Sequence, residues 1–118
     1  MQDRFRFRYF DNSNRMQEIS LTNCYYTDLD YSRLMQCTGL QDKNGKLIYE
    51  GDIIKYLYYN PERYTKWVVV FNPDTLEFGT RGYGYIGYQR LTSYSIFNNK
   101  VEVIGNIYEN PELLKDGE

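Results

Sequence analysis

The sequence predicts a mainly β, single-domain protein made of small antiparallel sheets. Three observations carry this prediction. Alternation marks both ends of the chain: Phe5, Phe7 and Tyr9 against Arg4, Arg6 and Arg8, and Val101, Val103 and Ile107 within Lys100 to Tyr108. Period two puts successive side chains on opposite faces of a strand. The run Trp67-Val68-Val69-Val70-Phe71 is the most β-prone in the chain, because branched and aromatic side chains pack well on a pleated surface. Turn formers separate the strands, among them Asp11-Asn12-Ser13-Asn14, Asn44-Gly45 and Asn72-Pro73-Asp74-Thr75, and they supply the backbone angles that reversals need.

Taken in order, Arg4 to Phe10 is expected as a strand with one buried face. Its arginines are then a solvated face that keeps an edge strand from pairing. The chain returns as Arg15 to Leu21 with Ile19 and Leu21 inward, so 4–21 forms an N-terminal hairpin. Asn23, Asp28, Asp30 and Ser32 interrupt any period between Thr22 and Arg33, which reads as a loop with one helical turn. Leu34 to Thr38 and Leu47 to Tyr49 flank Asn44-Gly45, a pair that tolerates the positive φ of a tight hairpin turn. Gly39 and Asp42 lengthen that loop. Glu50-Gly51-Asp52 makes a corner into Ile53 to Tyr59, which is apolar on both faces and so suits burial on both sides. A strand entered through a Gly-Asp corner is a common opening of SH3-like barrels. By that analogy 34–108 is expected to be a partly open, barrel-like β core.

Beyond the loop Asn60-Pro61-Glu62-Arg63, Tyr64 to Asn72 is expected as a central strand. Pro73 is pre-set for the second position of a turn, and Leu76 to Thr80 pairs back. Arg81 to Tyr88, rich in Gly and Tyr, reads as a loop or a bulged edge strand. Gln89 to Phe97 is mixed, and Asn98-Asn99 turns into the final strand, Lys100 to Tyr108. Asn110-Pro111-Glu112 offers an N-cap residue, a proline at the first helical position and an acid in the first turn. A short C-terminal helical turn at 110–115 follows. No internal repeat, linker or low-complexity tract divides the chain.

Two blocks carry a family resemblance. LMQCTGLQDKNGKLIYEGDII, from Leu34 to Ile54, resembles the signature block of the YopX family, small proteins encoded in phages and prophages of Gram-positive bacteria. VEVIGNIYENPELL, from Val101 to Leu114, is similar to that family's closing segment, and FRFRYFDNSNRMQEI at the N-terminus resembles its opening hairpin more loosely. The resemblance implies a mainly β domain and brings no catalytic residues with it.

At 118 residues the chain can bury a core without disulfides or metals. Aromatic residues make up 18%, with 14 tyrosines, a composition suited to strands with one face near solvent and to interfaces. The formal net charge is -2, so the overall basic footprint expected of a duplex-DNA binder is missing. No apolar run is long enough to span a bilayer, and the N-terminus has no signal-peptide character. A cytoplasmic location, in a bacterial host if the resemblance holds, is therefore expected. There Cys24 and Cys37 would be reduced thiols.

The chain contains no histidine. That removes Ser-His-Asp and Cys-His nucleophile systems and His-ligated metal sites. No cofactor and no metal are expected. Gly82-Tyr83-Gly84-Tyr85-Ile86-Gly87 matches GxGxxG, but that pattern holds a pyrophosphate only where a helix N-terminus follows, and none is predicted here. Arg81, Tyr83, Tyr85, Tyr88 and Arg90 form the candidate binding surface, since exposed rings beside positive charge stack single-stranded bases. Glu50 and Asp52 flank Gly51 and form a carboxylate pair of the type used in acid-base work or cation binding. The plainer reading is that Asp52 caps the bend through local backbone N–H groups, and the same holds for Asp28 and Asp30. The sequence thus points to a non-enzymatic binding or assembly module that self-associates. Single-stranded nucleic-acid binding through 81–90 is the alternative, and a carboxylate-based, metal-assisted hydrolase the second alternative.

Overall fold

A computed structural model of the chain describes residues 6–19, 31–57, 64–82, 88–90 and 100–117. The strands there are β1 (Phe7–Phe10), β2 (Met16–Ile19), β3 (Leu34–Gln41), β4 (Leu47–Tyr49), β5 (Asp52–Leu57), β6 (Tyr64–Asn72), β7 (Glu77–Gly82), β8 (Tyr88–Arg90) and β9 (Val101–Asn106). They form a four-stranded sheet in the order β2-β1-β3-β4 and a five-stranded sheet in the order β8-β7-β6-β5-β9. All the pairings are antiparallel. Neither sheet closes on itself among the described residues, as a partly open architecture requires.

Turn chemistry sets the first sheet. Asp11 accepts the N–H groups of Ser13 at 2.8 Å and Arg15 at 2.9 Å, and Phe7 stands opposite Ile19 in the hairpin register. The loop from β3 to β4 is wider than a two-residue turn, because Gln41 pairs with Leu47. Of Asn44 and Gly45, only Gly45 takes positive φ, at 82°. Asp42 organises this loop. One carboxylate oxygen accepts from Asn44 N–H at 2.8 Å and Lys46 N–H at 2.9 Å. The other accepts from Val103 N–H at 2.9 Å and so reaches across to β9.

The main core cluster is Ile48, Ile54, Trp67, Val69, Val101 and Val103, with Leu40 and Tyr56 packed against it. Ile48 comes from the first sheet and the other five cluster residues from the second, so this cluster is what joins the layers. Burying each such side chain is worth about 1.5–3 kcal/mol. Ile53, fully buried on the other face of β5, bears out the expectation that this strand is covered on both sides. Cys37 is fully buried, and its sulfur accepts Gly39 N–H at 3.4 Å.

Several expectations need correction. Leu76 is not in a strand: it sits in the β6–β7 turn at φ 56° and is 77% exposed. β7 starts one residue later and runs on to Gly82, into the stretch read as loop or bulged edge. β9 ends at Asn106, and its pairing shifts by one residue, since Ile53 opposes Gly105 while Ile54 opposes Val103. Such a bulge reverses the alternation beyond it, so Asn106 is the next buried residue after Val103, and Ile107 lies past the strand's end in the following turn. The C-terminal element is a 3-10 helix, Pro111–Gly117. Asn110 does not serve it as a side-chain cap, because its carbonyl oxygen turns back to accept Asn106 N–H at 3.1 Å.

Candidate functional site

The corner Glu50-Gly51-Asp52 is where the two sheets meet, and its two acids have different surroundings. Asp52 is 1% exposed. One of its oxygens accepts from the guanidinium of Arg8, on β1, and the other accepts Tyr49 N–H at 2.8 Å. Arg8 also lies over the Tyr49 ring, 4.5 Å from its centroid. Burial pushes the Asp52 carboxyl up from its ordinary value, and the Arg8 charge pulls it back. Burial likewise pushes the Tyr49 hydroxyl up to about 12. The expected capping role of Asp52 is present. The expected solvated arginine face is not: the Arg8 side chain is only 12% exposed, and its Nε is buried without a hydrogen-bond partner. Arg6 does face solvent, 3.8 Å from Glu18. Only one side of β1 was predicted to be covered, but β5 and the corner cover the second side at Arg8.

Glu50 faces a cleft of about 170 Å³ between β3 and β6. Met35, Val68, Val70, Ile107 and Tyr108 contribute to its apolar lining, and among the described residues Glu50 is the only charged one in it. The cleft walls are held by backbone bonds. Gly51 N–H donates to Val69 O at 2.8 Å, and Gly51 O accepts Ile107 N–H at 2.9 Å. This glycine has φ 88°, and a Cβ there would lie 3.1 Å from the Met35 sulfur, so the corner calls for glycine twice over. Tyr108 stacks on Phe10, with ring centroids 5.2 Å apart, and donates its hydroxyl to Ser32 O at 3.1 Å. The Arg33 guanidinium lies 5.2 Å from the Phe10 ring centroid and 5.5 Å from that of Tyr108. Glu50 itself accepts Gln36 N–H at 3.4 Å. Among the described residues no cation lies within ion-pair distance of it. Burial pushes its carboxyl up, opposed by the Gln36 N–H.

The residues singled out in the sequence fall in different places. Glu50 and Asp52 do not act as a pair, since Asp52 is engaged by Arg8 and Tyr49 while Glu50 lines the cleft. Arg81 is exposed on β7, opposite Tyr88 in the backbone register, and Gly79 is opposite Arg90. Tyr83 and Tyr85, most of the GxGxxG stretch, Asp28, Asp30, Cys24 and Arg4 lie outside the described residues. Met35, Ile107 and Tyr108 carried no local signal, because they meet only through tertiary packing. Among the described residues, no group of three His, Cys, Asp or Glu side chains is placed to hold a metal ion, and no helix is long and apolar enough to cross a membrane.

A family model described as YopX protein matches residues 4–115. The chain is also similar to a solved structure, that of protein EF1440 from Enterococcus faecalis. The two share 25% identity over 93% of this chain and 97% of that one, with a TM-score of 0.65. A comparison with curated proteins finds no match.

Proposed function

The chain belongs to the YopX family, and we propose that it is a non-enzymatic binding or assembly module, working in the cytoplasm of a bacterial host of a phage or prophage. The observation that carries this reading is the cleft between β3 and β6. Its largely apolar lining, single described charged group and backbone-pinned walls have the character of a preformed binding site. The β6–β7 turn supports the assembly half. Leu76 is 77% exposed in a left-handed conformation, and Phe71, 39% exposed, packs edge-on against Phe78 at 5.4 Å. In this reading Leu76 and Phe71 are the exposed apolar groups that a second copy of the chain covers. Light scattering on the full chain over a wide concentration range tests this half. The expected mass exceeds the single-chain 14.2 kDa and falls toward it in Leu76→Asn. A wild-type protein that stays monomeric at every concentration removes assembly from the reading.

One observation favours a second reading, single-stranded nucleic-acid binding: the exposed Arg81 stands opposite Tyr88 in the ladder, beside Tyr83, Tyr85 and Arg90 in the sequence. Oligothymidylate that quenches tyrosine fluorescence at low salt and not at high salt would favour it. No quenching at low salt would end it.

A further inference from the structure

We propose that the β3–β6 cleft takes a lysine or arginine side chain presented by a segment of a partner protein, its apolar stem lying on Met35, Val68 and Ile107 and its charged end meeting Glu50. This rests on the reading of the cleft as a binding site and adds the chemistry of what it binds. Size is the first argument. At about 170 Å³, the space is comparable to an apolar cavity of about 150 Å³ that holds benzene, which is enough for one long side chain. The second is the mixture of surfaces. Long cationic side chains lay their methylenes on apolar surface and keep the head group at a polar partner, and this cleft has an apolar lining with one acidic group.

The third argument is the electrostatic position of Glu50. It is half-buried, held by one long hydrogen bond of 3.4 Å from Gln36 N–H, and unpaired by any described cation. A half-buried carboxylate without a counter-charge is costly, and a ligand's ammonium or guanidinium would offset that cost. Arg33, the cation beside the Tyr108 wall, donates to Phe10 O at 2.8 Å and Asp11 O at 3.4 Å. It is therefore committed elsewhere. Asp52 offers a contrast within the same corner, because its charge is already matched by Arg8. The chain's net charge of -2 also favours approach by a basic segment.

The probes are Nα-acetyl-lysine methylamide and Nα-acetyl-norleucine methylamide, which keeps the four-carbon stem and lacks the ammonium, titrated into the ¹⁵N-labelled full chain while amide shifts are followed by NMR. The expected result is a saturable shift of Met35, Glu50, Gly51, Ile107 and Tyr108. The lysine probe should bind about tenfold more tightly than norleucine, the difference a charge-assisted contact makes. It should weaken with added salt, and Glu50→Gln should abolish the preference. If Glu50→Gln fails to fold, the wild-type preference and its salt dependence decide the matter. Equal binding of both probes would overturn the cationic inference and leave the cleft as an apolar binding site. No shift at these amides with either probe would overturn both the inference and the binding reading of the cleft.

Discussion

Replacing Arg8 by Met should be among the most damaging single changes in the first sheet, and its cost should depend on pH. Arg8 supplies the charge opposite Asp52, and both groups are withdrawn from solvent, at 12% and 1% side-chain exposure. Removing one member of a buried pair leaves the other uncompensated, which costs about 3–5 kcal/mol. For a chain of this length that lowers Tm by roughly 10–25 °C. Asp52→Asn should cost a similar amount, while Arg8→Met/Asp52→Asn should cost clearly less than the sum, with a coupling of about 1–3 kcal/mol. The sign of the pH effect follows from linkage. Burial raises the Asp52 carboxyl in the folded state, and without Arg8 it rises further. A carboxyl whose folded value lies above its unfolded one contributes stability below the unfolded value and loses it as pH rises through the folded value. The Arg8→Met deficit should therefore be largest at neutral pH and shrink on acidification toward the unfolded Asp value. Asp52→Asn should lack that component. Denaturant melts of the four proteins at neutral and mildly acidic pH read all of this. A cost for Arg8→Met under about 1 kcal/mol, the scale of an exposed pair, with no pH dependence, would refute the account.

Three further predictions concern turns and corners. Gly105→Ala would put a Cβ 2.6 Å from Asn110 Oδ1, the atom that accepts Asn106 N–H, and should lower stability by about 1–3 kcal/mol in thermal melts; an unchanged melting temperature would mean that Asn110 moves aside at no cost. Arg15 N–H, with Gln17 and Ser13, holds the Asp11 carboxyl below its ordinary value of 3.8, so its contribution is present above the unfolded value and lost as pH falls through the folded one. An NMR titration should give a midpoint below 3.8, and Asp11→Asn should remove that part of the acid sensitivity. Hydrogen exchange should find the amides of Gly51 and Ile107, bonded at 2.8 and 2.9 Å across the corner, among the most protected, and the exposed Ser13 amide among the least; fast exchange at Gly51 would mean that the corner opens independently of the core.

The strands driven by side-chain pattern were legible in the sequence. The branched run from Trp67 to Phe71 marks a strand whose bounds, Tyr64–Asn72, match the reading, and Leu47–Tyr49 does as well. Features that depend on what packs against a strand were not legible. Alternation in Arg4 to Phe10 separates two faces but does not say that β5 and the corner cover the second at Arg8. The bulge between β5 and β9 resets parity without a proline or a turn pair to announce it. At the site, Glu50 stood out because it shares a corner with Asp52, whereas Met35, Ile107 and Tyr108 come from β3 and the turn after β9, and no spacing links them.

Gly51 explains why two acids so close in sequence do different work. In a regular strand, residues two apart share a face, and Glu50 and Asp52 would then compete for one environment. At φ 88° the glycine breaks that parity. Asp52 becomes the first residue of β5 and turns its carboxylate to Tyr49 N–H and Arg8, while Glu50 remains bonded to β3 through Gln36. The bond from Tyr49 N–H closes the corner, and the charge that Asp52 buries there is matched from β1. With the closure assigned to Asp52 and its charge matched by Arg8, nothing in the corner requires Glu50 to be ionised, paired or capped. A carboxylate held by one long bond, at a rigid corner beside an apolar cleft, is where a binding function can vary at least cost to the corner.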